Sequence, residues 1–96
     1  MTNPVNSILI HPSDDVATAL VDMTRGDVGR YICLAEVREV AITESIPRYH
    51  KFAIREIRLS EPVRKYGEVI GTATRNIPKG AHVHIQNIAS PAGDRI

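Results

Sequence analysis

Three times in this chain an alanine is followed, at fixed offsets, by a polar residue, an apolar one and a small one. The stretches are Ala19-Leu-Val-Asp22-Met23-Thr-Arg-Gly26, Ala53-Ile-Arg-Glu56-Ile57-Arg-Leu-Ser60 and Ala73-Thr-Arg-Asn76-Ile77-Pro-Lys-Gly80. A polar side chain that can bond nearby backbone, a core-seeking apolar residue, and glycine or serine three places later together make a chain reversal. The apolar residue plugs a core and the small residue supplies the unusual dihedral. Three reversals joined by short β-rich segments specify a small, folded-over β architecture. Their spacings of 34 and 20 residues are unequal, which excludes a solenoid. The core must be aliphatic, because the 96 residues contain one Phe, three Tyr and no Trp. This length supports one domain, 1–96, burying roughly 60–65% of its unfolded surface.

In chain order, residues 1–6 read as a polar, frayed start. Residues 7–11 form a short strand that Pro12 stops. Ser13, Asp14 and Asp15 read as a cap, and 16–21 as either one helical turn or a short strand. Residues 30–43 are two strands or one bent hairpin, broken near Ala35-Glu36. Further strands are expected at 51–54, 63–66, 68–70 and 82–85, with 89–96 as a flexible tail. Gly67 and Gly71 mark a turn or a close backbone approach. The fold class is therefore all-β, with at most one short helix near residues 14–21.

Twelve basic and eleven acidic residues leave a net charge of +1, which gives no nucleic-acid footprint. The charge is uneven: residues 48–80 carry +5 and residues 1–47 carry −4. A positive face of that kind suits an anionic ligand or an acidic partner. The single cysteine, Cys33, rules out an internal disulfide and reads as a small buried hydrophobe. No apolar run reaches the roughly 20 residues that span a bilayer, and no signal-peptide pattern opens the chain. The expectation is a cytoplasmic protein without membrane contact. Phosphate-binding glycine loops, Gly-x-Ser-x-Gly and His-Glu-x-x-His are all absent, and no carboxylate pair stands out as acid and base. A complete active site within this chain is not expected.

The candidate site residues cluster late. In Ala81-His82-Val83-His84-Ile85-Gln86 the apolar and polar residues alternate, placing His82 and His84 on one strand face opposite Ala81, Val83 and Ile85. Two such imidazoles can ligate a metal or hold an oxyanion; they can also be a plain surface pair. His50-Lys51 places a cation beside an imidazole, and Lys65-Tyr66-Gly67 places a cation and a phenol beside an exposed backbone. Taken alone, each of these reads as a hairpin corner or turn, and His11 before Pro12 as a capping histidine.

Together these motifs carry a resemblance. His50-Lys51-Phe52-Ala53, Glu56-Ile57, Lys65-Tyr66-Gly67, Ile70-Gly71 and His82-Val83-His84, with His11 and residues 14–20, resemble the amino-terminal SAF-type domain of the altronate and galactarate dehydratase family. The resemblance covers most of the chain. It implies a β-clip fold and a metal-dependent hydro-lyase using iron(II) or manganese(II). It also implies a much larger catalytic region, here expected as a separate subunit, that acts on a sugar acid. By the same resemblance His11, His50, Lys51, Lys65, Tyr66, His82 and His84 are expected to contact substrate. His82 and His84, expected on the same side as His50 and facing the groove where the partner docks, would join a metal shell completed by the partner. A two-chain sulfolactate sulfo-lyase, acting on a sulfonated hydroxy acid, is a neighbouring possibility. So is a non-catalytic SAF binding module, and a homo-oligomer is compatible with either. This chain departs from the family pattern at Tyr49 and Ser60, where glycine is usual, and at Gln86, where a third histidine often stands.

Overall fold

The computed structural model describes residues 4–90. Nine strands and no helix occur among them: β1 (Ser7–Ile8), β2 (Val16–Ala19), β3 (Val28–Cys33), β4 (Glu36–Ala41), β5 (Lys51–Ala53), β6 (Pro62–Lys65), β7 (Glu68–Ala73), β8 (His82–Val83) and β9 (Ile88–Ala89). The all-β expectation holds, and residues 16–19 resolve as strand. All strand pairs are antiparallel, in a four-stranded sheet β1-β2-β5-β8, a ribbon β3-β4 and a three-stranded sheet β6-β7-β9.

The reversals are four, not three. The missed one is Ile42-Thr43-Glu44-Ser45-Ile46-Pro47-Arg48-Tyr49, which has isoleucine in place of the alanine and tyrosine in place of the small residue. At all four the residue in the last place has positive φ: Gly26 (98°), Tyr49 (71°), Ser60 (71°) and Gly80 (90°). Each sits third in a turn closed by one backbone bond: Asp27 N–H to Thr24, His50 to Pro47, Glu61 to Arg58 and Ala81 to Pro78. A positive φ at the third residue is what a type II turn requires.

The four reversals join in two reciprocal pairs. Met23 and Ile46 exchange backbone hydrogen bonds of 2.9 and 2.8 Å, and Ile57 and Ile77 exchange bonds of 2.9 and 2.7 Å. Within each pair the left-handed residue donates back to the strand entering the other reversal: Tyr49 to Ala19, Gly26 to Ile42, Ser60 to Ala73 and Gly80 to Ala53. Each pair brackets one hairpin, β3-β4 or β6-β7. The chain is therefore two similar halves that share β5.

Each half has its own core, and β2 and β5 are the wall between them. Strand alternation sends Ala17, Ala19 and Phe52 to one side, with Met23, Tyr31, Val40, Ile42 and Ile46. It sends Val16 and Ala53 to the other, with Ile57, Val63, Ala73, Ile77, Ala81, Val83 and Ile88. Cys33 only packs partly covered against the first core, short of the burial its apolar neighbours led us to expect.

Two further expectations need correction. The tails read from sequence extend too far inward. Asn6 accepts the Arg30 N–H at 2.7 Å and donates to the Val28 carbonyl at 3.0 Å, while Ala89 lies in β9. Tail positions 1–3 and 91–96 fall outside the described residues. The strand expected over 82–85 ends at Val83. Asn87 is buried, accepts the His84 N–H at 3.0 Å and donates to the His82 carbonyl at 2.8 Å. The chain turns there, and Ile85, expected inside, is 64% exposed. Gly67 takes the turn of the β6-β7 hairpin (φ 75°), and a Cβ on Gly71 would fall on the Ala89 carbonyl oxygen.

Candidate metal centre

His50, His82 and His84 meet at the end of the β5-β8 pairing. The register is Lys51 opposite Val83 and Phe52 opposite His82. Continued one step outward, it sets His50 opposite His84, with His82 on the diagonal of the same face. The three rings form a near-parallel stack: centroids lie 4.5 Å apart for His50–His84, 5.1 Å for His50–His82 and 5.5 Å for His82–His84, with planes 17–25° apart. His50 Nδ1 and His82 Nε2 share a hydrogen bond of 2.8 Å. One ring nitrogen from each histidine lies within 4.8 Å of the others.

The third imidazole thus comes from His50, 32 residues before His82, and position 86 does not provide it. Gln86 instead places its side-chain amide 3.1 Å from His82 Nδ1. His50 is expected from the sequence on the same side as His82 and His84, but only as a substrate contact and not as a metal ligand. The signal that could have found the third ligand is the register: the His-x-His strand pairs with a strand that histidine also precedes.

The surroundings disfavour the charged form of His82 and His84. Burial, reinforced by the charges of His50 and His84, pushes His82 below the ordinary histidine value; Glu44 pulls the other way. Burial and the charges of His50 and Lys51 lower His84 as well. A neutral imidazole is the form that binds a metal. Bonds of about 2.0–2.1 Å from two adjacent ligands put their nitrogens roughly 3 Å apart, and the His50–His82 pair stands at that separation. The donor set fits a divalent transition metal. Being all nitrogen, it suits iron or zinc better than manganese, which favours oxygen ligands.

The other expected site residues gather at a second place. Lys65 Nζ donates to the Tyr66 hydroxyl at 3.0 Å and lies 4.4 Å from its ring centroid. This bond lowers the Tyr66 phenol below its usual range. His11 takes two contacts from Ser13 at Nδ1, and its ring lies against Gly67, 3.1 Å from where a Cβ would stand. Lys51 is within electrostatic reach of both groups. The register turns it to the face of Thr18 and Val83, away from Phe52 and His82, yet its charge reaches His82, His84 and Tyr66. Burial first and then Lys65 lower the Lys51 ammonium, with Tyr66 opposing. Lys51 and Lys65 together make this patch locally positive.

Sequence reasoning missed what holds this second place together. Asp14 is buried and accepts N–H groups from His11 (3.1 Å), Tyr66 (3.0 Å) and Gly67 (2.8 Å). Asp15 accepts the Arg64 N–H at 2.8 Å and Arg55 Nε at 2.6 Å. The cap read from sequence is therefore mostly a clamp on residues about fifty positions away.

Known proteins bear on this geometry. Residues 5–91 match the family described as the altronate/galactarate dehydratase SAF domain. The chain is 36% identical over 87 residues to altronate dehydratase of Escherichia coli and 34% identical over 88 residues to that of Bacillus subtilis. Each alignment covers 91% of this chain but only 17% of the relative. It is also 40% identical over 47 residues to the (2R)-sulfolactate sulfo-lyase subunit alpha of Chromohalobacter salexigens, 49% of this chain and 50% of that one. The chain spans about a sixth of the length of the dehydratases it matches, and it belongs to the SAF domain family of the altronate and galactarate dehydratases.

Proposed function

We propose that this chain is the SAF component of a cytoplasmic lyase that eliminates water from a sugar acid, and that the main catalytic body is a separate, larger subunit. The convergence of His50, His82 and His84, with the cations Lys51 and Lys65 and the Tyr66 phenol nearby, carries the reading. The first group offers three imidazole donors to a metal, iron in preference to manganese. When bound, such a metal supplies a Lewis acid for loss of a hydroxyl. Lys51 and Lys65 supply the positive charge that a carboxylate substrate needs, and Tyr66 and His11 offer hydrogen-bonding groups at its edge. The metal-ligand cluster holds only imidazoles, and Asp14 and Asp15 are committed to backbone and Arg55. Neither aspartate is free to act as the base, and removal of the substrate proton is assigned to the partner.

A second reading replaces water by sulfite as the leaving group. The 47 residues that align with the sulfo-lyase alpha subunit, at 40% identity, support it. A sulfonate would meet the same cations. A non-catalytic SAF module is the third reading.

The test is the double replacement of His82 and His84 by Ala, assayed with the large subunit on altronate, galactarate and sulfolactate. Activity should fall at least about tenfold, equivalent to about 1.4 kcal/mol of transition-state stabilisation, with the fold retained. The isolated chain should show no turnover. Full activity of the double variant would favour the non-catalytic module, and sulfite release the second reading.

A further inference from the structure

We propose that Gln86 is a positioning residue that decides which nitrogen of His82 carries the proton, and so presents His82 to a metal through Nε2. The inference rests on the metal reading above. His82 is engaged at both ring nitrogens: Nε2 faces His50 Nδ1 at 2.8 Å, and Nδ1 faces the Gln86 amide at 3.1 Å. A neutral imidazole has one N–H and one bare nitrogen, and only the bare one can ligate. The nitrogen turned toward the other imidazoles is Nε2. For His82 to act as a ligand, its proton must sit on Nδ1, and that proton needs an acceptor.

Gln86 is the group in place. A primary amide carries a donor and an acceptor on the same fork. Its NH2 can serve Nδ1 while Nε2–H bonds to His50, and its oxygen can serve Nδ1–H once Nε2 is needed for a metal. Partners of this kind, bonded to the far nitrogen of a ligating histidine, change metal affinity by about 10–100-fold when removed. An amide also adds no charge, so the ion's positive charge stays available to an anionic substrate. Position 86 of this chain thus keeps a role in the site although it supplies no ligand.

The experiment uses the full chain stripped of metal, with Co2+ alone as probe, read by its visible absorption. Gln86→Leu should bind Co2+ at least about tenfold more weakly than the unaltered chain. Gln86→Glu, which can only accept when ionised, should bind at least as tightly. Nitrogen NMR of the cobalt-free zinc form should show the His82 proton on Nδ1. Gln86 is exposed, so both variants keep the fold, and circular dichroism verifies it. Equal affinity of Gln86→Leu and the unaltered chain would overturn the role of Gln86 alone. Failure of the unaltered chain to bind Co2+ any better than His84→Ala would overturn the metal reading, and this inference with it.

Discussion

Ser60 and Tyr49 hold a backbone conformation that glycine adopts without cost, both at φ 71°. They are also two of the positions where the chain departs from its family's usual glycine, so the strain was visible in the sequence once the resemblance was drawn. A left-handed non-glycine residue costs roughly 1–2 kcal/mol, and glycine's extra freedom in the unfolded chain takes back about 0.5–1 kcal/mol. Ser60→Gly should therefore stabilise by about 0.5–1 kcal/mol and raise the melting temperature by a few degrees. Tyr49→Gly should gain less, because it removes the ring over which the Arg48 guanidinium lies at 4.7 Å. A lower melting temperature for Ser60→Gly would mean that the serine side chain supports the turn. The histidines give a second residue-scale expectation. His82 and His84 are both depressed, chiefly by burial. The unfolded chain therefore binds more protons than the folded one just below pH 6.5. Their contribution is complete above that value and is lost as pH falls through the folded values. Melting temperatures taken between pH 7.5 and 5.5 should decline toward acid, and the slope should flatten when both histidines are replaced by Ala. An unchanged slope would assign the acid sensitivity to other groups.

At the scale of elements, most strands were legible because period-two runs and turn residues are local signals. What was not legible is what depends on side chains reaching across the chain. Asn87 ends β8 early by capturing His84 and His82, and no pattern within residues 81–86 records that. The turn of the β6-β7 hairpin, with Tyr66 at φ 59° and Gly67 at 75°, is held by Asp14, 52 and 53 residues earlier. Replacing Asp14 by Ala leaves three backbone donors without their acceptor. Each buried unsatisfied group costs about 1–3 kcal/mol, and water reaching the hairpin turn offsets part of that, so the expected loss is about 2–4 kcal/mol. A thermal melt should show a drop of ten degrees or more, and amide exchange at Tyr66 and Gly67 should accelerate more than at Phe52. A drop under two degrees would show that water replaces the carboxylate there.

For the whole molecule, the echo of three reversals foretold a small folded-over β domain, yet not its division into halves. The fourth reversal lacks both the alanine and the small residue, so only the structure reveals that reversals pair. The candidate metal centre was half legible for the same reason. His82 and His84 share a local pattern, whereas His50 joins them only because β5 and β8 flank the second half and pair across it. The two bridges, Met23–Ile46 and Ile57–Ile77, join residues 23 and 20 apart in sequence. Loop-closure entropy rises only with the logarithm of length, so the two closures differ by about 0.1 kcal/mol. In kinetic terms neither half has a head start, and the search for the native state has two equivalent places to begin. Ile46→Val and Ile77→Val should then give similar fractional φ-values, between about 0.2 and 0.6, when folding and unfolding rates are measured against denaturant. A value near one at either position with zero at the other would show that a single half leads and the second condenses on it.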